Sequence, residues 1–186
     1  CVDFYDWQMD YDTYDKYSKG VGFRFSYPVF NFTRAYLSYA FDVSNIKNID
    51  ETYASNLVKD SKGENTKSSI STALRYDSRD RIFNPTKGSQ HSISVQYAGI
   101  GGEIGFTKYL AETGWYFPFF KGTVGFLHAR TGYVNRNPDK KLFDYDRFYL
   151  GGMNSLRGFD WRDVSPTDEM ATRSEAISLS SLMLNI

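Results

Sequence analysis

The stretch Val21-Gly22-Phe23-Arg24-Phe25-Ser26-Tyr27 decides the fold class of this chain. Its four apolar residues occupy every second position and alternate with glycine, arginine and serine. A period of two places the two sets of side chains on opposite faces of a β-strand. The same period recurs in stretches that begin at Ala35, Ile70, Ser92, Lys108 and Leu127. A last strand is predicted over Ala176–Ile186, although its pattern does not assign the two faces.

The composition favours a membrane barrel over a bundle of membrane helices. Aromatic residues make up 18% of the chain, with 15 Tyr and 15 Phe, yet the mean hydropathy is −0.50. No run approaches the roughly 18 apolar residues of a spanning helix. Strands of a transmembrane barrel alternate lipid-facing apolar with lumen-facing polar residues, and aromatic girdles lie at both interfaces. The equal count of 22 basic and 22 acidic residues argues against nucleic acid as a partner.

The links between the predicted strands carry a second signal. Two short links, Pro28–Thr33 and Pro118–Lys121, each follow an aromatic residue and begin with proline, which ends ladder pairing. Two long polar links, Asn45–Lys67 and Asn135–Thr172, each come after one of the short links in chain order. The remaining links, Ser78–Ser89 and Gly99–Gly105, are intermediate in length and weaken the alternation. Outer-membrane barrels show this asymmetry, with short periplasmic turns and longer extracellular loops.

A soluble β-sandwich is the alternative fold, because its strands also alternate. The long strands and the aromatic residues on one face favour the barrel. Six strands are predicted between Lys19 and Asn135, one after the long loop, and a stub at Val2–Trp7. Open strand edges are not tolerated in lipid, so about seven strands are expected to form an incomplete segment of a larger transmembrane antiparallel β-barrel.

Two segments carry a more specific signal than the strand pattern. The first is Arg75-Tyr76-Asp77-Ser78-Arg79-Asp80-Arg81-Ile82-Phe83-Asn84-Pro85-Thr86-Lys87-Gly88-Ser89. The second lies about 70 residues further on and reads Phe148-Tyr149-Leu150-Gly151-Gly152-Met153-Asn154-Ser155-Leu156-Arg157-Gly158-Phe159. Glycine allows backbone conformations that other residues resist, and arginine offers a planar fork of donors.

In this order and spacing, the two segments resemble the BamA family of barrels, which fold and insert outer-membrane proteins. The resemblance implies a sixteen-stranded barrel. Residues 1–135 would run from the end of strand five to strand eleven. Residues 136–172 would form the sixth extracellular loop, which folds into the lumen, and residues 173–186 would form strand twelve. POTRA domains and the remaining strands would lie outside this sequence.

The resemblance also implies a docking role for the start of the sixth loop. In the family a hydrophobic-Arg-Gly-Phe motif docks on the inner barrel wall, and its acidic partner would lie beyond Ile186. Glu112, on a face predicted to point inward, is a candidate contact within this sequence. The alternative is that the arginine is a solvated loop residue. The motif corresponds to Leu156, Arg157, Gly158 and Phe159, and the loop root to Gly151 and Gly152.

The upstream segment is interpreted as a turn at the periplasmic rim. Its residues could form a fixed network that faces the POTRA domains. They could equally form only a hydrogen-bonded turn, because aspartate bonds its own backbone in turns. The two readings are compatible with each other. The residues concerned are Asp77, Arg79, Asp80, Pro85 and Gly88.

No pattern of catalytic or metal-binding residues stands out, so no enzyme activity and no cofactor are predicted. Neither His91 nor His128 lies in a nucleophile motif, although an outer-membrane hydrolase would depend on His128. The single cysteine, Cys1, forms no metal-ligand spacing with them. The acidic residues of the long loop lack calcium-loop spacing and are expected to be solvated; these are Asp139, Asp144, Asp146 and Asp163.

The function implied by the resemblance is the central barrel of the outer-membrane assembly machinery in a Gram-negative bacterium. Its implied partners are outer-membrane lipids, unfolded outer-membrane proteins and the accessory lipoproteins of that machinery. A related translocation or autotransporter-assembly barrel and a passive outer-membrane pore are the alternatives.

Overall fold

The computed structural model describes residues 1–11, 14–49, 62–138, 140–142, 146–148, 158 and 173–185, with backbone alone for 11, 121 and 173–185. All eight of its strands join one antiparallel sheet in which each strand pairs with its neighbours in sequence. The strands are β1 (Val2–Tyr11), β2 (Tyr14–Phe30), β3 (Thr33–Lys47), β4 (Gly63–Asp77), β5 (Gly88–Gly102), β6 (Phe106–Pro118), β7 (Val124–Arg136) and β8 (Arg173–Asn185).

This architecture confirms the predicted all-β fold. The stub predicted at Val2–Trp7 is a full strand, which raises the count from about seven to eight. The sheet is open, with β1 and β8 at its edges, and the described residues include no second sheet of the kind that a sandwich requires. Proline does not end β2 as predicted, because Pro28 still pairs with Arg34 before the register shifts toward Phe30.

A single three-residue helical turn, Phe120–Gly122, follows β6. No helix among the described residues is long and apolar enough to cross a membrane.

The register aligns the apolar positions of successive strands on one side of the sheet, here called the apolar face. Phe23 lies opposite Tyr39, which lies opposite Ile70, which lies opposite Tyr97. Cross-strand pairs of this kind are the unit of sheet stabilisation. Large side chains along the face are left exposed, as expected of a wall that faces lipid; they include Phe25, Leu37, Leu74, Ile93, Tyr109, Trp115 and Leu127.

The opposite side, here called the polar face, is buried only toward one end of the strands. Buried positions alternate at the start of β2 and at the end of β3, which pair with each other. They include charged and hydroxyl side chains, namely Lys16, Ser18, Asp42 and Ser44. Buried charges are tolerated only when they are paired, so the buried charged side chains at this end of the polar face require partners.

The two ends of the strands differ in their connections. At one end, the turn rim, residues 31–32, 78–87 and 119–123 connect the strands. At the other end, the loop rim, the links include residues 48–62 and 137–172. A 15-residue strand such as β4 extends for about 50 Å. That length exceeds the apolar band of an outer-membrane barrel, which is about 25 Å tall, so strand ends project beyond the lipid.

The two faces predict opposite responses to a lysine at neighbouring positions. Ile93 is 63% exposed on the apolar face, and Ser94 follows it on the polar face. In the full-length protein, Ile93→Lys should destabilise the barrel by up to about 2–4 kcal/mol, depending on depth, because it places a charge in lipid. Ser94→Lys should cost clearly less. Urea unfolding in lipid vesicles measures both, and an equal cost would contradict the assignment of the faces.

Candidate functional site

The predicted docking motif lies mostly outside the described residues, but three stretches of the chain that leads into it are described. Gly158 has a φ of +95°, a conformation that residues with a side chain rarely adopt. The stretches 137–138, 140–142 and 146–148 lie between β7 and the motif. The other predicted loop residues fall outside the described part of the chain; these are Gly151, Gly152, Leu156, Arg157 and Phe159.

The long loop begins by folding back onto the sheet. The amide of Asn137 donates to the carbonyl oxygen of Ala98 at 2.9 Å, and Lys140 Nζ donates to the Gly102 carbonyl oxygen at 2.7 Å. Lys141 forms a parallel bridge with Ile104 in the link between β5 and β6. These bonds satisfy backbone groups at the loop rim and direct the chain across the polar face.

A small apolar cluster holds the next residue of the loop. Leu142 is 4% exposed and packs with side chains from β5, β6, β7 and the link between β5 and β6. Burying such a side chain stabilises the contact by about 1.5–3 kcal/mol. The cluster comprises Ala98, Ile104, Phe106, Val134 and Leu142, with Phe148 packed against it.

Two lysines of the polar face then bind Asp146. Lys67 Nζ lies 2.9 Å from Asp146 Oδ1, and the two side chains are only 16% and 11% exposed. Lys108 Nζ donates to the backbone oxygen of Asp146 at 3.1 Å. The expectation that Asp146 is solvated is therefore wrong, because the folded loop brings it onto a wall that carries lysines. Lys67, Lys108 and Asp146 are called the loop clamp below.

An aromatic ring completes the attachment. Lys108 Nζ lies 4.2 Å from the centre of the Phe148 ring, within the range of a cation–π interaction. The ring covers Gly132 so closely that a Cβ there would lie 2.5 Å from Phe148 Cζ. Gly132 thus leaves the space that Phe148 fills, and Phe148 is the first residue of the segment Phe148–Phe159 that contains the motif.

Further along the polar face, the candidate contact Glu112 has a described partner. His128 Nε2 and Glu112 Oε1 are 2.9 Å apart, and the imidazole stacks on Phe126 with ring centres 5.7 Å apart. Arg130 lies directly opposite Glu112 in the register. The contact between Glu112 and Arg157 stays a prediction, because Arg157 lies outside the described residues.

At the turn rim, Asp77 and Arg79 form a local ion pair. Arg79 Nε and Nη2 donate to the two carboxylate oxygens of Asp77 at 2.8 Å and 2.6 Å. The backbone N–H of Arg79 also donates to Asp77 at 3.2 Å. The hydrogen bond to Asp77 raises the pKa of the Arg79 guanidinium above its ordinary value. Two parallel bonds fix the guanidinium in place.

Asp80 organises the other half of the same turn. Its carboxylate accepts hydrogen bonds from Thr86 Oγ1 at 2.7 Å, from Thr86 N at 2.9 Å and from Lys87 N at 3.2 Å. The hydroxyl and backbone bonds of Thr86 lower the pKa of Asp80 to about 2. Pro85 lies between Asn84, with a φ of +51°, and these donors.

Gly88 returns the chain to β5. Its φ is +106°, and a Cβ there would collide with the Ser78 carbonyl. No other residue fits this position without a backbone shift. Three of the five predicted turn residues thus form two separate anchors, Asp77 with Arg79 and Asp80 with Thr86. The other two, Pro85 and Gly88, lie in the tight return to β5.

The sequence did not single out the loop clamp. Lys67 and Asp146 are 79 residues apart, and neither belongs to a motif. The two lysines themselves were a signal that could have located the clamp. Lys108 falls at an inward position of one alternating strand, and Lys67 lies at the end of another alternating strand. A lysine on an inner wall requires a carboxylate partner.

Removing one charge of the clamp should loosen the loop. Asp146→Ala in the full-length protein removes the carboxylate that Lys67 binds against a covered wall, which should cost about 3 kcal/mol. A double-mutant cycle with Lys67→Met, followed by urea unfolding, should return a coupling of about 2 kcal/mol. The exposed pair Lys19–Asp6, at 3.2 Å, is the matched control and should couple by less than about 1 kcal/mol. Equal coupling in both cycles would refute the clamp.

The Asp80 anchor should respond to acid. The pKa of Asp80 is depressed from 3.8 to about 2 in the folded protein. The ionised carboxylate therefore stabilises the folded turn above pH 4, and this stabilisation is lost as pH falls toward 2. Asp80→Asn should remove it at neutral pH and speed amide exchange at Thr86 and Lys87 by roughly five- to tenfold. Hydrogen exchange with mass spectrometry measures this change. Thr86→Val tests the hydroxyl bond alone, and unchanged exchange in both variants would contradict the anchor.

Comparisons with known proteins agree with this geometry. A family model described as the Omp85 superfamily domain matches residues 3–184. The outer membrane protein assembly factor BamA of Nitratidesulfovibrio vulgaris is 32% identical over 162 residues, which cover 85% of this chain and 20% of that protein. The mouse sorting and assembly machinery component 50 homolog is 33% identical over 117 residues, which cover 62% of this chain and 25% of that protein.

A solved structure shares the fold. The crystal structure of BamA from Haemophilus ducreyi lacking POTRA domains 1–3 superposes with a TM-score of 0.72 at 19% identity, and the match covers 88% of this chain and 34% of that one. The chain therefore spans about a fifth to a third of the proteins it matches. The matched family domain runs through all eight strands, and the chain belongs to the Omp85 superfamily.

Proposed function

We propose that this chain is a segment of the central barrel that folds and inserts outer-membrane proteins. One observation carries the proposal: the family match runs along the whole two-faced sheet, and the relatives are named for protein assembly. The apolar face would contact lipid, and the polar face would line the lumen. The barrel would belong to the outer membrane of a Gram-negative bacterium.

The mechanism would be non-covalent. A barrel with a weak seam exposes unpaired N–H and C=O groups, and an incoming strand can pair with them. Pairing satisfies the backbone of the new strand before it meets lipid, where unsatisfied groups cost several kcal/mol each. No residue of this segment would need to act as a nucleophile, base or metal ligand, so we propose no enzyme activity.

The long loop would support the barrel from inside. Residues 1–135 would form wall strands, residues 136–172 the loop in the lumen, and residues 173–186 a further strand. The clamp supports this division, because Asp146 and Phe148 attach the loop to the polar face just before Gly151 and Gly152. Arg157 would then dock on the wall with Leu156, Gly158 and Phe159 around it.

The turn rim would face the periplasm. Asp77, Arg79 and Asp80 would hold the turn between β4 and β5 in one shape, and Pro85 and Gly88 would return the chain. We propose unfolded outer-membrane proteins as substrates, and outer-membrane lipids and the accessory lipoproteins of the assembly machinery as partners.

Reconstitution tests the function. The full-length protein in lipid vesicles should speed the folding of an unfolded outer-membrane barrel, followed by its heat-modifiable shift on a gel. Arg157→Ala should lower that rate by at least about fivefold, because the loop loses a charge-assisted attachment. Arg162→Ala, in the same loop but outside the motif, is the matched control and should keep the wild-type rate.

Three results would overturn parts of this proposal. Ion conductance with no effect on substrate folding would favour a passive pore. Transport of a substrate across the vesicle membrane, without its insertion, would favour a translocation barrel. Wild-type barrel stability together with normal assembly activity in Arg157→Ala would refute the docking role of Arg157.

A further inference from the structure

A pocket of about 460 Å³ opens at the turn rim, between the turn that joins β2 to β3 and the turn that joins β4 to β5. Arg34 and Arg75, from adjacent strands, line it together with Tyr36. Both arginines belong to the polar face, since they stand in register with inward positions of β2 and β5. The remaining lining residues are Pro28, Phe30, Phe32, Thr33, Asp77 and Ile82.

The pocket carries excess positive charge. Arg34 and Arg75 are direct cross-strand partners, and like charges in that position repel each other. Among the described residues, neither arginine has a carboxylate within ion-pair distance. Arg75 lies over the Tyr36 ring at 5.6 Å, which orients its guanidinium without neutralising it.

The nearest carboxylate is already occupied. Asp77 lines the same pocket, but Arg79 binds both of its oxygens at 2.6 Å and 2.8 Å. The three arginines and one aspartate leave a net charge of about +2 at neutral pH. Asp77 attracts Arg75 electrostatically, but its hydrogen bonds go to Arg79, so the repulsion between Arg34 and Arg75 is only partly offset within the described part of the chain.

Part of the pocket wall is apolar and exposed. Phe30, the last residue of β2, is 74% exposed, and Ile82, in the link between β4 and β5, is 75% exposed. Exposed apolar patches that polar residues surround mark sites of interaction with a protein, a membrane or a ligand. A ligand that suits this pocket combines an anionic group with neighbouring apolar groups.

We propose that this pocket binds a carboxylate side chain of an extended polypeptide rich in apolar residues. Two guanidinium forks match the two oxygens of a carboxylate. A polypeptide is favoured over a membrane lipid, because the arginines lie on the polar face, opposite the side that would contact lipid. The inference rests on the proposed function, for which the polypeptide is an incoming substrate, and assigns it a contact at the turn rim.

The test uses the full-length protein in detergent and a rhodamine-labelled pentapeptide that has one glutamate between two phenylalanines and an amidated end. Fluorescence anisotropy measures its dissociation constant against a counterpart in which glutamine replaces the glutamate. The glutamate peptide should bind about tenfold more tightly, because charge-assisted hydrogen bonds are lost in the counterpart. Equal affinity for the two peptides overturns the proposal, whatever the variants do.

Variants locate the site. The double variant Arg34→Gln with Arg75→Gln should remove the preference for glutamate, while folding is checked by the heat-modifiable gel shift. Arg130→Gln, which changes another arginine of the polar face, is the matched control and should keep the preference. Loss of the preference in Arg130→Gln to the same extent would point to a general field of positive charge and would overturn the assignment to this pocket.

Competitors separate the possible sources of the anion. Displacement of the peptide by millimolar inorganic phosphate would indicate a simple anion site. Displacement by phosphatidylglycerol in mixed micelles, but not by a second unlabelled glutamate peptide, would indicate a lipid site. Either result overturns the proposal. Substrate folding by the same preparation is measured in parallel, so that failure of the pocket and failure of the proposed function are told apart.

Discussion

Every strand of this sheet must satisfy its backbone through its neighbours, since lipid offers no hydrogen bonds. Long, nearly continuous registers meet that demand, such as the pairing of β2 with β3 from Asp15 to Phe30. Because side chains alternate along a paired strand, the register also decides which groups face lipid and which face inward. The apolar face, the polar face and both sites described above depend on it. The register shifts toward the turn rim between Pro28 and Phe30 and between Phe126 and His128, and toward the loop rim between Lys67 and Ser69.

The polar face behaves as two regions. Toward the loop rim it is covered, and its charges are paired, as in the contact of Lys67 with Asp146 at 2.9 Å. Toward the turn rim it is open, and Arg34 and Arg75 have no carboxylate of their own among the described residues. The covered half is suited to holding a loop, because a buried pair is costly to break. The open half is suited to exchange with a ligand, because its charges remain accessible.

Much of the fold follows from local patterns. Alternation predicted the faces correctly: Phe23 and Ile70 lie on the apolar face, and their neighbours Arg24 and Ser71 lie on the polar face. The two motifs resembled a family that the comparisons then supported, with an Omp85 match over residues 3–184. Two predictions failed for physical reasons. Pro28 does not end β2, since pairing with Arg34 is retained. Asp146 is not solvated, since the loop returns to a wall that carries lysines.

The sequence alone determined the class of fold, because a period of two is a local property that any short stretch displays. It also determined the turn at Asp80, whose partner Thr86 is six residues away. Only the tertiary structure joined Lys67 to Asp146, which are 79 residues apart, and set Arg34 beside Arg75. Such pairs depend on which strands neighbour each other, on their register and on the path of a long loop. Those quantities arise from burial and pairing summed over the whole sheet, and no single stretch of sequence contains them.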